Sequence, residues 1–321
     1  MRIVLLSIGF GCLLSGNVRG QATLEVITET GEKKEVIVHD DPLKLPAHSI
    51  LINPFNVITS GASVLGYDLQ YTYRKSPKYT YRTKVSGGYF SGVDSYTNAP
   101  VIDASSFFNY SIGGGNKIKE ERTPVDYKNG QSTDTVYFIM FPRKKRRNLN
   151  LSAGLNYWKY NSSFKLWNTI DGSSDLTHVG SDLNSVGLSL GLEFETSKSY
   201  KATIDNTSRS YYRISRGYFN LSYAVYNQYR IYEVSYLDPN VHTSYIDKTD
   251  EISGLEVKKL GVKLGYEYIH GFKNRAFAVN FGVEAGLIPH YTLDIGDGLF
   301  HESESAMFSL HVGILLGSRP W

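Results

Sequence analysis

The chain is almost without cysteine. Its one Cys, Cys12, falls inside an N-terminal segment that reads as a removable leader. The mature chain is therefore expected to hold no disulfide, no thiolate metal site and no cysteine nucleophile. A lipid-attachment box would place Leu three residues before the Cys, but Gly9 stands there. Long apolar runs are missing as well. Beyond the leader no stretch approaches the roughly 18 consecutive apolar residues that a helical span requires, so any crossing of a membrane must be made by strands. An excess of one charge is also absent. The formal charge of +3 falls to +1 once Arg2 and Arg19 are removed, which argues against a general nucleic-acid binder. No repeat of fixed period and no low-complexity tract is present.

The leader itself has the expected parts. Arg2 supplies the charge, Ile3 to Leu14 form an uncharged and mostly apolar run too short to span a bilayer, and Val18-Arg19-Gly20 place small residues before Gln21. Cleavage is expected there, leaving segments 1–20, 21–49 and 50–321 as leader, N-terminal extension and main domain.

What is abundant is tyrosine, 25 residues beside 15 Phe, set among Gly, Ser, Asn and β-branched residues. That mixture suits strands and polar turns more than helices. Several segments alternate with period two. Leu65, Tyr67, Leu69, Tyr71 and Tyr73 oppose Gly66, Asp68, Gln70, Thr72 and Arg74. Val186, Leu188, Leu190, Leu192 and Phe194 oppose Gly187, Ser189, Gly191, Glu193 and Glu195. The same holds for 149–157, 260–268, 277–287 and 307–316.

A soluble sandwich would turn the apolar face inward, whereas a membrane barrel turns it to lipid and lines its lumen with the polar face. Three features favour the barrel. The segments run to ten residues or more against an ordinary strand of about 5–6. The polar face mixes Gly and Ser with both signs of charge. Tyrosines gather near strand ends, as aromatic girdles do. The expected girdle comprises Tyr71, Tyr73, Tyr79, Tyr157, Tyr266 and Tyr268. The residues expected to line the lumen are Asp68, Arg74, Arg82, Lys84, Glu193, Glu195, Lys263, Glu267 and Glu284.

On Ile52-Asn53-Pro54-Phe55 leading into Leu65-Gly66-Tyr67-Asp68-Leu69-Gln70-Tyr71, on the Gly-alternating later strands and on a last strand ending near the C-terminus, the chain resembles outer-membrane β-barrel proteins of Bacteroidota. The resemblance covers roughly residues 50–321 by pattern, without an invariant motif. It implies fold and location only. Trp321 is terminal, yet the outward residues from Phe308 to Leu316 are even-numbered and Pro320 interrupts the ladder, so the last strand is expected to end near Gly317.

The fold expected is all-β: an antiparallel transmembrane barrel of about ten strands, in a range of 8–12, with a short N-terminal hairpin. Strands are placed at 55–74, 78–90, 101–113, 134–142, 147–160, 183–196, 210–236, 255–269, 274–288 and 305–317. The parity of the 210–236 run changes near Asn227 to Tyr232, marking a bulge or a hairpin. Connections 75–77, 114–133, 161–182, 237–253 and 289–304 then fall outside the cell. Connections 91–100, 143–146, 197–209 and 270–273 fall in the periplasm. Residues 23–38 read as a polar hairpin in the periplasm or a plug in the lumen.

Motifs for chemistry are weak. Gly187-Leu188-Ser189-Leu190-Gly191 has the spacing of a nucleophile elbow, but no helix follows it. His242-Thr243-Ser244 has the His-x-Ser spacing of a membrane phospholipase, placed in an expected loop without an orienting Asn. His39-Asp40-Asp41 offers too few ligands for a metal. Arg143-Lys144-Lys145-Arg146-Arg147 reads as a solvated turn, or as a contact for lipid or lipopolysaccharide phosphates if it lies on the outer side. No enzyme and no cofactor is expected. The partners expected are outer-membrane lipid, lipopolysaccharide and other envelope proteins. A structural or interaction role is expected, ahead of a small-solute channel and well ahead of an outer-membrane enzyme.

Overall fold

The computed structural model describes residues 4–5, 21–27, 33–60, 62–91, 102–128, 135–170, 173–204, 207–238, 242–247, 255–271, 277–296, 299–302 and 306–317. Cys12, Val18 to Gly20, Pro320 and Trp321 lie outside the described residues. The strands discussed are β1 (Gln21–Ile27), β2 (Lys33–Asp40), β3 (His48–Ser60), β4 (Ala62–Ser76), β5 (Tyr79–Ser91), β6 (Ile102–Lys128), β7 (Thr135–Ile170), β8 (Ser173–Ile204), β9 (Thr207–Asp238), β10 (His242–Asp247), β11 (Leu255–Lys258), β12 (Leu260–Gly271), β13 (Phe277–Leu287), β14 (His290–Gly296), β15 (Leu299–Glu302) and β16 (Ala306–Gly317).

Ten of these close into a ring, β3-β4-β5-β6-β7-β8-β9-β12-β13-β16, and β16 returns to β3. Every neighbouring pair in the ring is antiparallel. Closure leaves the barrel no edge over the span where all ten strands pair, and the ladder there is interrupted only at bulges. Because ten is even, β3 enters and β16 leaves at one end, where Ser49 pairs with Gly317. We call this the terminal end and the other the distal end.

The ring is inside out relative to a soluble protein. On β16 the even positions Phe308, Leu310, Val312, Ile314 and Leu316 are exposed, while Ser309 and His311 are buried. On β8, Leu190 is 64% exposed and Phe194 60%, against 2% for Glu193. From Phe308 to Leu316 is eight steps of about 3.4 Å, or about 20 Å of depth at a strand tilt of about 40°. That is close to the apolar band of about 25 Å seen in such barrels.

The count of ten agrees with the sequence reading, but two boundaries differ. Segment 55–74 is two strands, β3 and β4, and segments 134–142 and 147–160 are one, β7. As a result the connections 75–77 and 91–100 exchange ends: 77–78 lies at the terminal end and 92–101 at the distal end. The β6–β7 hairpin likewise turns at the terminal end, where the sequence reading had put 114–133 outside. Segment 210–236 is one strand, β9, bulged between Ala224 and Tyr226. Segment 255–269 is interrupted at Lys259, because β11 leaves the ring to form a second sheet with β14 and β15 inside the expected loop 289–304. At the distal end β7, β8 and β9 continue past the ring and β10 adds to β9.

The N-terminal hairpin β1–β2 is added edge to edge on β8, with Val36 opposite Ile204 and Asp40 opposite Tyr200. It does not enter the lumen. The segment that does is the linker 41–47. The Asp41 amide donates to Ser199 O (3.1 Å) on β8, and Ser197 Oγ donates to Pro42 O (3.0 Å). The Arg74 amide on β4 donates to Ala47 O (2.7 Å). Strand β8 stands opposite β3 in the ring, so the linker crosses the terminal mouth from side to side.

Candidate functional site

The lumen is filled in three layers. At the terminal end Leu51, Tyr212, Ile214, Ile269, Ala278 and Leu315 form a buried apolar floor, against which Leu45 of the crossing linker packs. Near the distal end Trp158, Leu183 and Met307 form an apolar ceiling with Tyr229, and Ile288 tucks in from the loop after β13. Between the two lies an ionic layer.

The ionic layer is built of bars that cross the barrel. Arg74 on β4 grips Glu195 on β8 through both guanidinium nitrogens, at 3.2 and 2.9 Å. Arg82 on β5 donates to Glu193 on β8 (2.7 Å). Lys84 on β5 donates to Glu284 on β13 (2.8 Å). Lys263 on β12 pairs with Asp103 on β6. None of these pairs joins strands that are neighbours in the ring. Around the wall Arg216 lies beside Glu195 (3.6 Å) and Glu267 (3.2 Å), its direct cross-strand partners on β8 and β12.

Neutral side chains complete the layer. Asn150 Nδ2 donates to Glu193 (3.0 Å), and Asn280 Nδ2 to Glu267 (2.9 Å). The Tyr218 hydroxyl donates to Glu284. Charges this deep are tolerable only when paired and hydrogen-bonded. A cavity of about 50 Å³ remains among Arg82, Lys84, Glu193, Tyr218 and Lys263. It has room for about three to five waters at roughly 10–15 Å³ each.

Local sequence explains how Asp68 is held. Pro54 has no N–H to give a ladder, and β3 bulges between Asn53 and Asn56 against β4. The extra residue lets Asn53 and Asn56 both turn inward while Phe55 is 68% exposed. Both amides donate to Asp68, at 3.4 and 2.5 Å, and Lys84 lies 3.6 Å away. Ser309 on β16 donates to Asn56 (2.8 Å), tying the closing seam to the same cluster. Inward glycines make room for large neighbours. A Cβ on Gly282 would collide with the His311 imidazole, and one on Gly265 with the Tyr218 ring.

Asp68, Arg74, Arg82, Lys84, Glu193, Glu195, Lys263, Glu267 and Glu284 thus share one buried layer. The sequence reading missed Arg216, Asp103 and His311 there. The same alternation marks all three: Arg216 lies in phase with Tyr212 and Ile214, Asp103 with Ser105 and Asn109, and His311 with Ser309. The crossing linker had no signal beyond Pro42 and Pro46, both of which are buried.

Of the girdle residues, Tyr71, Tyr73, Tyr79 and Tyr268 lie toward the terminal end and Tyr157 toward the distal end. Tyr266 is midway along β12, a correction to its placement at a strand end. Tyr79 meets Phe108 and Tyr110, with centroids 5.8 and 5.3 Å apart. His48 stacks on Tyr73 at 4.7 Å.

The remaining motifs resolve into structure. Ser189 is buried mid-strand in β8 and accepts a hydrogen bond from Asn156, with strand on both sides and no sharp turn. His242-Thr243-Ser244 lies in β10, not in a loop. Asp40 is engaged by the Lys144 amide and lies 3.7 Å from Arg143. Arg143 to Arg147 is strand, not turn. Among the described residues no His, Cys, Asp and Glu grouping fits a metal.

The class defined by this fold is the antiparallel ten-stranded β-barrel with an apolar outer band, like that of outer-membrane proteins. No family model matches the chain, and no curated protein matches it. Among solved structures, one neighbour is OmpT, an outer membrane protein of Vibrio cholerae, in-vitro folded and in its trimer form. The alignment has 10% identity and covers 88% of this chain and 99% of that one. Its TM-score is 0.13, too low for the likeness to bear on fold or activity.

Proposed function

We propose that the chain is an outer-membrane barrel of a Gram-negative envelope, of the Bacteroidota type, exported by a cleaved leader. Its lumen is a sealed structural core. Its role is structural or interactive, as a surface protein or a barrel subunit of an envelope complex, and not conductive or catalytic. The observation that carries this reading is the set of crossbars. Ion pairs from β4 to β8, β5 to β8, β5 to β13 and β6 to β12 occupy the diameter that a solute would need. The apolar floor and ceiling close the layer above and below. Membrane placement is supported by the exposed apolar band, which would aggregate in water. The strands that extend past the ring at the distal end supply surface for partners.

Single-channel recording in planar bilayers tests the sealed lumen. The wild-type chain is expected to show no persistent open state. Removing two whole bars, Lys84→Ser with Glu284→Ser and Lys263→Ser with Asp103→Ser, is expected to produce a steady conductance. An open wild-type channel would overturn the proposal in favour of small-solute transport.

A further inference from the structure

Four side chains that line the cavity of the ionic layer are each engaged by protein through one half only. Arg82 gives Nη1 to Glu193 (2.7 Å), while its Nε and Nη2 meet no partner among the described residues. Asn109 accepts the Ser152 hydroxyl on Oδ1, and its Nδ2 is left over. Asn53 gives Nδ2 to Asp68 (3.4 Å), and its Oδ1 is left over. Asp103 pairs with Lys263 through Oδ2, and its Oδ1 is left over. Asn53 is 1% exposed and Asn109 2%, so bulk solvent does not meet these spare groups.

A polar group left unmet at this depth is costly, so the spare halves point to a ligand. Their chemistry decides which. Arg82 Nε, Arg82 Nη2 and Asn109 Nδ2 can only donate, whereas Asn53 Oδ1 and Asp103 Oδ1 can only accept. A cation would suit the acceptors and be repelled by the guanidinium. An anion would suit the side-on edge of Arg82, which fits an oxyanion well. But the lining carboxylates Asp103, Glu193, Glu267 and Glu284 already outnumber the lysine and arginine cations Arg82, Lys84 and Lys263, so one more negative charge is disfavoured. Water donates, accepts and adds no charge.

We infer that this cavity is a hydration site, holding a cluster of bound waters as a structural part of the core. Its volume of about 50 Å³ takes about three to five waters at roughly 10–15 Å³ each. The cluster joins Asn53 of β3, Arg82 of β5, and Asp103 and Asn109 of β6, and so links strands by hydrogen bonds that the ion pairs leave unmade. Buried waters with two to four polar partners are costly to remove. The hydration site does not depend on the sealed lumen, since ordered water occupies open and closed polar sites alike.

The test is a crystal structure of the full chain in detergent, at a resolution that shows ordered water. Density for a group of waters is expected within hydrogen-bond reach of Arg82 Nε and Nη2, Asn53 Oδ1, Asp103 Oδ1 and Asn109 Nδ2. Soaks in sodium bromide and in rubidium chloride are expected to leave no anomalous peak in the cavity. The variant Asn109→Leu removes a donor and fills space, and is expected to lose at least one of the waters. An empty cavity in the wild type, a bromide peak, a rubidium peak, or the full cluster retained in Asn109→Leu would each overturn the assignment. The wild-type crystals decide the matter even where the variant fails to fold. Conductance reports on the lumen independently, so the two readings fail separately.

Discussion

Two groups of basic residues in this barrel are alike in chemistry and opposite in circumstance. Inside, Arg74, Arg82, Lys84, Arg216 and Lys263 each lie within reach of a carboxylate on another strand. Outside at the terminal end, Lys117, Lys145, Lys198 and Arg213 face one another across the ladder. The difference follows from solvent. A buried charge without a partner costs several kcal/mol, so the interior has to be balanced by the protein itself. An exposed charge at the membrane boundary is screened by ions and headgroups, so cations there can stand opposite one another at little cost. Pairing inside makes a core, whereas screening outside lets like charges share a ladder.

The comparison breaks most readily at Arg216. It is 1% exposed and lies 3.2 Å from Glu267 and 3.6 Å from Glu195, which it shares with Arg74. Arg216→Met leaves Glu267 without its near cation, while Glu195 keeps Arg74, and is expected to cost about 3–5 kcal/mol. The loss should be seen as a lower urea midpoint for unfolding in micelles and as earlier loss of heat-modifiable mobility on gels. A cost below about 1 kcal/mol, the range of a surface pair, would place Arg216 among the solvated cations and erase the contrast.

The Lys263–Asp103 bar sharpens it. Lys263→Met alone is expected to cost about 3 kcal/mol, because Asp103 is left buried and uncompensated. Adding Asp103→Leu should recover most of that loss, since a buried pair replaced by apolar groups of similar volume is often neutral. A double variant as unstable as the single would mean that the bar does more than neutralise charge. Packing offers a parallel check of smaller size. Gly282→Leu drives a side chain into the His311 imidazole and is expected to cost about 1–3 kcal/mol, read by the same unfolding assay.

How much of this was legible in the sequence depends on parity. Alternation names the inward carboxylates and cations because a strand has two faces and the lumen is one of them. It fails where a bulge resets the phase. On β3 the outward residues are Ile50 and Ile52 before the bulge, and Phe55 and Val57 after it. The second set is in phase with Leu65, Tyr67 and Leu69 of β4, so two strands read as one. The opposite error came from Arg143 to Arg147. Five consecutive cations look like a turn, yet Arg146 bonds Asn148 (2.8 Å) on one face and Arg143 meets Asp40 and Tyr200 on the other. The two errors cancel in the count and reverse the ends of the connections between them. The linker across the mouth was not legible, since nothing in residues 41–47 states which strand they cross to.

The smallest effect concerns Asp40, the carboxylate beside Arg143 at the terminal end. Burial raises its pKa above the ordinary range, against the Lys144 amide and Arg143, which pull it down. A carboxyl with a raised folded pKa adds stability that is complete below its unfolded value of about 4 and is lost as pH rises through the folded value. The docking of β2 on β8 should therefore loosen modestly toward neutral pH. Asp40→Asn keeps an oxygen to accept from Lys144 and removes the titration. Hydrogen-exchange protection of the Val36 to Val38 amides, corrected for the intrinsic pH dependence of exchange, is expected to fall between pH 4 and pH 7 in the wild type and to stay level in the variant, with a difference under about 1 kcal/mol. If the wild type instead gains protection as Asp40 ionises, the Arg143 pair outweighs burial. The Arg143–Asp40 pair would then act as the crossbars of the lumen do, and the contrast between buried and screened cations would hold only for the more exposed ones.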